Sequence, residues 1–366
     1  PKPEAVVSAG DLAWLEAEAR RQLHGCVITA RDGTPLYTPD GQAHYAALWT
    51  RDFAYMVENA GDLIPADHIR RGILYLLAGQ SEAGCIPDRV QKDGMAVYSA
   101  GAVDMPLGAP PTDNSPFMVK LVADYVGTTG DRELFSGAAD QLVRAMDFTP
   151  RSGRGLVYID PAKPHSPYGF TDTVAKTGEL LFSSLLYWEA SLRLVELFAA
   201  SGDPTRSAEY AARAGAVERS LDTLWDERSG MFLAAAIDCR QVDIWGSAYA
   251  VYAGFPLGTK RERILKYLER NYSGYIYRGQ VRHLPEPQVW DRMLIAITPG
   301  TYQNGAYWGT ASGWVAWCLA ERRPDLAARL VRALVADYRK RGACECVNVG
   351  YEKLRDYVVS VVNPLG

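Results

Sequence analysis

No run of basic residues, no C-x-x-C pair and no linker-like segment dividing the chain occurs in these 366 residues, and no apolar stretch is long enough to span a membrane. With a net charge of −4, the electrostatic footprint of nucleic-acid or anionic-membrane binding is missing. Histidine is scarce, at five residues. The six cysteines (Cys26, Cys85, Cys239, Cys318, Cys344 and Cys346) lack zinc-like spacing and histidine partners, so no metal site and no cofactor is expected. Cys344 and Cys346 are read as pointing to opposite sides of an extended segment, which disfavours a mutual disulfide. A reducing, cytoplasmic compartment is the expectation, with secretion after signal removal as its alternative because the chain begins at Pro1.

What the chain does have is aromatic rings: 21 Tyr and 9 Trp, many of them between rather than inside the periodic segments. Such rings form stacking platforms for sugars and are also ordinary core-edge residues. A small neutral or polar partner therefore suits the composition.

Period-3.6 patterning and breaker residues predict helices near Asp11–His24, Thr50–Ala60, Ala66–Gly79, Ser115–Gly127, Asp131–Asp147, Val174–Ala200, Pro204–Trp225, Gln241–Ala253, Thr259–Asn271, Ala306–Glu321, Pro324–Arg341 and Lys353–Asn363. Tight and long connections alternate along this series. That alternation predicts an all-α fold of six hairpins in a closed ring, an (α/α)6 barrel forming one domain over residues 1–366, with the long loops on one face. Short strands are expected within those loops at Gly155–Ile159, Met231–Ala236 and Tyr275–Tyr277. A helical solenoid is the competing architecture, but no fixed-period repeat supports it.

Candidate chemistry lies in the long loops. Trp49-Thr50-Arg51-Asp52 can grip adjacent hydroxyls of one sugar ring while the indole packs on its apolar face. Equally, it is a helix start with Thr50 as cap and Asp52 near the helix dipole. Asp113, before Asn114-Ser115-Pro116, reads more readily as an N-cap than as a site residue. Asp172, among Tyr168, Gly169 and Phe170, is a carboxyl whose desolvation would raise its pKa and suit a proton donor. Glu345, between Cys344 and Cys346, is hard to dismiss as a solvated charge. Two carboxyls on facing loops, one protonated and one ionised, are the minimum equipment for glycoside hydrolysis. Tyr302, Gln303, Asn304 and Trp308, where a long loop enters the tenth expected helix, and Trp245, in the eighth, are sugar-contact candidates with core packing as the alternative. His165 and His283 are read as surface or hydrogen-bonding residues.

The segments W-T-R-D at 49–52, P-P-T-D-N-S-P-F at 110–117, Y-G-F-T-D-T-V at 168–174 and C-E-C-V-N with K-L-R-D-Y-V-V-S at 344–360 occur in the order and helix positions of the six-hairpin glycosidases. The chain resembles the glucoamylase family and its relatives, which include processing α-glucosidase I and mannosylglycerate hydrolase. The resemblance implies that Arg51 and Asp52 bind the non-reducing terminal sugar, that Asp172 is the general acid and Glu345 the general base, and that hydrolysis proceeds with inversion. The D-N-S-P segment is similar both to a non-catalytic helix start of glucoamylases and to the acid-bearing segment of mannosylglycerate hydrolase. Helix order assigns Asp113 to the first, as a substrate-binding rather than acid residue, together with Tyr168. The proposed acid is Asp where glucoamylases have Glu, and the usual acidic dipeptide is absent.

The same fold hosts other reactions. A lyase or unsaturated-uronide hydrolase is an alternative, with Arg278, Arg282 and His283 as a possible clamp and base. An epimerase would need paired histidines. A phosphorylase would need a phosphate pocket that Glu345 would repel. A non-catalytic carbohydrate-binding protein would keep Trp49, Arg51 and Trp308 and tolerate loss of either carboxyl.

Overall fold

A computed structural model describes residues 8–366, and among them the chain forms twelve α-helices and little sheet. The helices are α1 (Ala9–Gly25), α2 (Thr50–Ala60), α3 (Ala66–Ala78), α4 (Asn114–Thr129), α5 (Arg132–Phe148), α6 (Leu181–Ala200), α7 (Pro204–Ser220), α8 (Ile244–Tyr252), α9 (Lys260–Arg270), α10 (Ser312–Ala320), α11 (Pro324–Arg341) and α12 (Val358–Val362). Short joins follow α2, α4, α6, α8 and α10, and long loops separate the pairs.

Local chemistry sets the short joins. Gly130 ends α4 at φ 75°, and the Asp131 side chain accepts from Leu134 N to begin α5. Asp203 caps α7 at Arg206 N with Pro204 in the first turn, and Pro324 likewise stands in the first turn of α11. Burial then sorts the helices. Residues 114–122 of α4 and 181–188 of α6 are buried without a break, whereas α5, α7, α9 and α11 bury one stripe and leave the rest to solvent. The even-numbered helices touch in succession: α2 on α4, α4 on α6, α6 on α8 and α8 on α10. Helix α12 packs on α2, and the 3-10 turn Asn363–Leu365 that follows α12 packs on both α2 and α10.

Several expected helices begin or end elsewhere: the one expected to Trp225 ends at Ser220, and the one expected from Gln241 begins at Ile244. Residues 174–180 are not helical but carry the strand Gly178–Glu179, so α6 starts at Leu181. Residues 306–311 include the strand Tyr307–Trp308 rather than the start of α10. Most of the segment expected as the last helix is the strand Tyr351–Arg355, which leaves α12 as five residues. The expected loop strands are shorter than forecast, at Tyr158–Ile159, Met231–Phe232 and Ile276–Tyr277.

The reason for the last two shifts is a five-stranded antiparallel sheet on the loop side, in the order Ile276–Tyr277, Gln280–Arg282, Tyr307–Trp308, Cys344–Asn348, Tyr351–Arg355. Strands drawn from loops far apart in sequence pair here, so no local pattern announces them. Cys344 and Cys346 both lie on one of these strands, where residues two apart share a face, which corrects the expectation that they point to opposite sides. Their Cα atoms stand about 6.7 Å apart at strand rise, near the limit for a disulfide. All six cysteines are buried free thiols. No described helix is long and apolar enough to cross a membrane.

Candidate active site

A small cavity opens on the long-loop side. Trp49, Arg51 and Asp52 reach it from the start of α2, Asp172 from the loop before α6, and Tyr302, Trp308 and Glu345 from the last two long loops. Seven expected residues, separated by up to almost the full length of the chain, thus share one cavity.

Asp172 follows the 3-10 turn Gly169–Thr171 and is half-buried beside Phe170. Gln303 does not line the cavity; its Nε2 donates to Asp172 Oδ1 at 2.6 Å, while its Oε1 accepts from Thr173 N and Oγ1 at 2.8 and 2.7 Å. This amide fixes the carboxyl's orientation from behind. Burial pushes the Asp172 pKa up to about 7 against the opposing pull of Arg51 and Gln303.

Glu345 sits mid-strand, where the register pairs Cys344 with Arg355 and Cys346 with Lys353, and Leu354 opposite it takes a φ of 43°. Lys353 Nζ lies 2.9 Å from Glu345 Oε2, and the Tyr45 hydroxyl donates to the same carboxylate at 3.2 and 3.3 Å. Burial raises the Glu345 pKa, and the Lys353 ammonium pulls it back down. The ammonium also stands 3.4 Å from the centroid of the Tyr302 ring. Tyr302 itself adopts φ 42°, a left-handed backbone that is costly for an aromatic residue and concentrates at functional sites.

Asp52 accepts from the Tyr357 hydroxyl at 2.7 Å, and burial lifts its pKa to about 7. Arg51 is tied to the protein: Nε donates to Asp113 Oδ2 at 3.0 Å, and Nη2 donates to Asp88 Oδ1 at 2.6 Å and Asn114 Oδ1 at 3.2 Å. A helix does start here with Asp52 in its first turn, but Thr50 does not cap it: its Oγ1 donates to Pro87 O.

Besides Gln303, four expected contact residues do not line the cavity. Asp113 stands at the N-cap position of α4 without making a side-chain cap; its Oδ2 instead receives Arg51 Nε and Gly169 N, so the carboxylate clamps two chain segments together. Tyr168 is buried with its hydroxyl 2.9 Å from that of Tyr55. Trp245 is fully buried, stacked on His283 with centroids 3.8 Å apart. Asn304 holds its own loop through Trp290 N and Ile297 O. In each case a packed interior takes the side chain before the cavity is reached. His165 and His283 are also buried, not surface residues, and burial lowers the pKa of both.

Sequence reasoning missed Tyr45, Tyr357 and Lys353. The last two lie in the K-L-R-D-Y segment, which carried a helix expectation that hid their geometry. Tyr45 is set by Asp40, whose carboxylate accepts from Gln42, His44 and Tyr45 N at 2.8, 3.1 and 3.0 Å. The only local signal for it is an aspartate followed by a polar turn.

Adjoining the cavity on its more exposed side lies a vestibule. Tyr45, Trp49, Asp172 and Tyr302 line both spaces, whereas Glu345 lines only the inner one.

No protein-family model matches the chain, and no curated protein sequence does. Solved structures do match. The GH63 mannosylglycerate hydrolase from Thermus thermophilus, in complex with Tris and D-glycerate, superposes with a TM-score of 0.68 over 96% of this chain and 99% of its own at 16% identity. The rhamnosidase from Klebsiella oxytoca with rhamnose bound gives 0.70 over 100% of this chain and 64% of its own at 18% identity. The GH78 family rhamnosidase of Bacillus sp. GL1 gives 0.66 over 98% and 35% at 14% identity. The chain therefore has the helical fold of these glycosidase structures, in keeping with the six-hairpin resemblance.

Proposed function

We propose that the protein is an inverting, exo-acting glycoside hydrolase that removes a terminal sugar from a small oligosaccharide or glycoside. Asp172 is the general acid and Glu345 the general base. The observation that carries this reading is the division of the two carboxyls between the two spaces: Asp172 borders both cavity and vestibule, and Glu345 borders the cavity alone. An acid must reach the oxygen that joins sugar to leaving group, whereas a base need only reach the anomeric carbon's far side. The inner cavity then holds one sugar ring and the vestibule its leaving group.

In this mechanism the bond from the anomeric carbon to the leaving oxygen breaks as the Asp172 proton moves to that oxygen. Glu345 takes a proton from a water whose oxygen bonds to the anomeric carbon from the opposite face, so glycoside and water become sugar and alcohol. The raised pKa of Asp172 keeps it protonated near neutrality, and Lys353 favours ionised Glu345. Carboxyls about 6.5–9.5 Å apart leave room for that water. Asp52, and any donor of Arg51 left free by its aspartates, would hold hydroxyls of the sugar, with Trp49 and Trp308 on its apolar faces. An α linkage is the expectation carried by the glucoamylase resemblance.

Contacts of α12 and its following turn with α2 and α10 support closure of the hairpins into the (α/α)6 barrel, as one domain. The uronate-directed alternatives lack support in the site. Arg51 already faces Asp88 and Asp113, Arg278 pairs with Glu352, and Arg282 Nη2 is spent on Gln288 O. A uronate in the cavity would meet three carboxyls, Asp52, Asp172 and Glu345, without a free guanidinium clamp.

The test is turnover of a panel of α- and β-linked disaccharides and simple glycosides by wild type, Asp172→Asn and Glu345→Gln. Each substitution is expected to lower kcat by about 10²–10⁴-fold. Sugar release that survives both removes the assignment, and sugar binding without turnover by wild type points to a carbohydrate-binding protein.

A further inference from the structure

The vestibule wall is unlike the cavity wall. It includes Ala46, Ala102, Leu107 and Ile295, and beside it stands the hairpin formed by the strands Gly101–Ala102 and Met105–Pro106. Among the described residues nine large hydrophobic side chains are exposed; Ile295 is one that lines this space, and Val103 and Met105 belong to the hairpin whose Gly101 and Ala102 line it. Met95 belongs to the turn that follows the vestibule residue Gln91. Met105 is 74% exposed and Val103 55%, both on this one hairpin.

This apolar rim is held in place. Arg89 donates through Nη2 to Gly101 O at 2.8 Å and through Nη1 to Ser99 O at 3.4 Å and Asp88 Oδ2 at 3.0 Å, while its guanidinium lies 4.6 Å from the centroid of the Trp49 ring. Those bonds also occupy the one arginine that lines the vestibule. Thr173 Oγ1 is bound to Gln303, the Tyr45 hydroxyl to Glu345 and Trp49 Nε1 to Tyr45 O. That leaves the His44 ring, the Gln91 amide and the Tyr302 hydroxyl as the polar groups open to a second sugar, beside an apolar stretch made by Ala46, Ala102, Leu107 and Ile295.

We propose that the vestibule is a subsite for an apolar aglycone, so that the preferred substrate joins one terminal sugar to a hydrophobic alcohol rather than to another sugar. The proposal rests on the hydrolase reading above. The aglycone oxygen meets Asp172 at the boundary of the two spaces, and its carbon chain leads outward over Leu107 and Ile295 towards the hairpin. Hydrolysis releases the free sugar inward and the alcohol outward, with the Asp172 proton on the alcohol oxygen.

The experiment compares methyl, butyl and hexyl glycosides of glucose, mannose and rhamnose, as both anomers, with disaccharides carrying the same terminal sugar. An alkyl series holds the leaving oxygen's chemistry nearly constant, so chain length reports contact alone. For the sugar that is turned over, kcat/KM is expected to rise about tenfold or more from methyl to hexyl, through partial burial of the added methylenes, and to exceed that of the disaccharide. Leu107→Asn and Ile295→Asn are each expected to shrink the hexyl-to-methyl ratio; Ile295 is surface-exposed, so its variant keeps the fold. A flat alkyl series with a faster disaccharide overturns the subsite while leaving the hydrolase standing. No turnover of any glycoside removes the hydrolase reading and this proposal with it.

Discussion

At the scale of single residues, the cavity is organised around three carboxyls, Asp52 and Glu345 buried and Asp172 half-buried, that desolvation pushes in one direction and neighbours pull apart. A general acid works while protonated and fails as pH rises through its pKa; a general base works while ionised and fails as pH falls through its own. With Asp172 lifted to about 7, kcat/KM is expected to decline above about pH 7, and the acidic limb is expected to report Glu345. Lys353 is the positioning residue of that limb, because its ammonium contacts the carboxylate without lying in the cavity lining. Lys353→Met should move the acidic limb up by about one pH unit or more, since an adjacent opposite charge lowers a carboxyl pKa by about 1–3 units. Lys353→Arg should restore it. A pH–rate profile in which Lys353→Met leaves the acidic limb unmoved would assign that limb to another group.

At the scale of elements, the site depends on where a few segments cross. Gly169 is needed for close approach: a Cβ there would fall 1.8 Å from Arg51 Nε and 2.0 Å from its Cδ. Arg51 cannot step aside, being fixed by Asp88 and Asp113. Gly169→Ala is therefore expected to cost about 1–3 kcal/mol of stability, seen as a lowered thermal midpoint, and to depress activity further by shifting the turn that carries Asp172. Unchanged melting and turnover would contradict this crossing. The helices and the alternation of their joins were legible in sequence because caps, prolines and the 3.6 period are local signals. The carboxyls were legible because charge among rings and small residues is conspicuous. What stayed hidden was non-local. The five-stranded sheet pairs loops from separate hairpins, and it turned residues expected as helix into the strand bearing Lys353. Trp245, Tyr168, Asn304 and Asp113 carry the right chemistry for sugar contact, but packing directs them elsewhere, which no spacing reveals.

At the scale of the whole molecule, one large cluster of buried side chains runs from Leu15 in α1 to Val362 in α12. If the hairpins close as one domain, heating should give a single calorimetric transition whose van't Hoff and calorimetric enthalpies agree; two separated transitions would divide the chain. Such closure would also return the last long loop, with Glu345, beside the start of α2, with Trp49 and Asp52, which share its cavity. That arrangement makes a demand on stereochemistry: a proton donor on the leaving-group side and a base across the ring require water to attack from the far face. The decisive measurement is proton NMR of the anomeric signals as the first sugar is released from a turned-over glycoside, before mutarotation. The expected result is a product of anomeric configuration opposite to the substrate, absent with Asp172→Asn and with Glu345→Gln. A first product of retained configuration would contradict the Asp172 and Glu345 assignment.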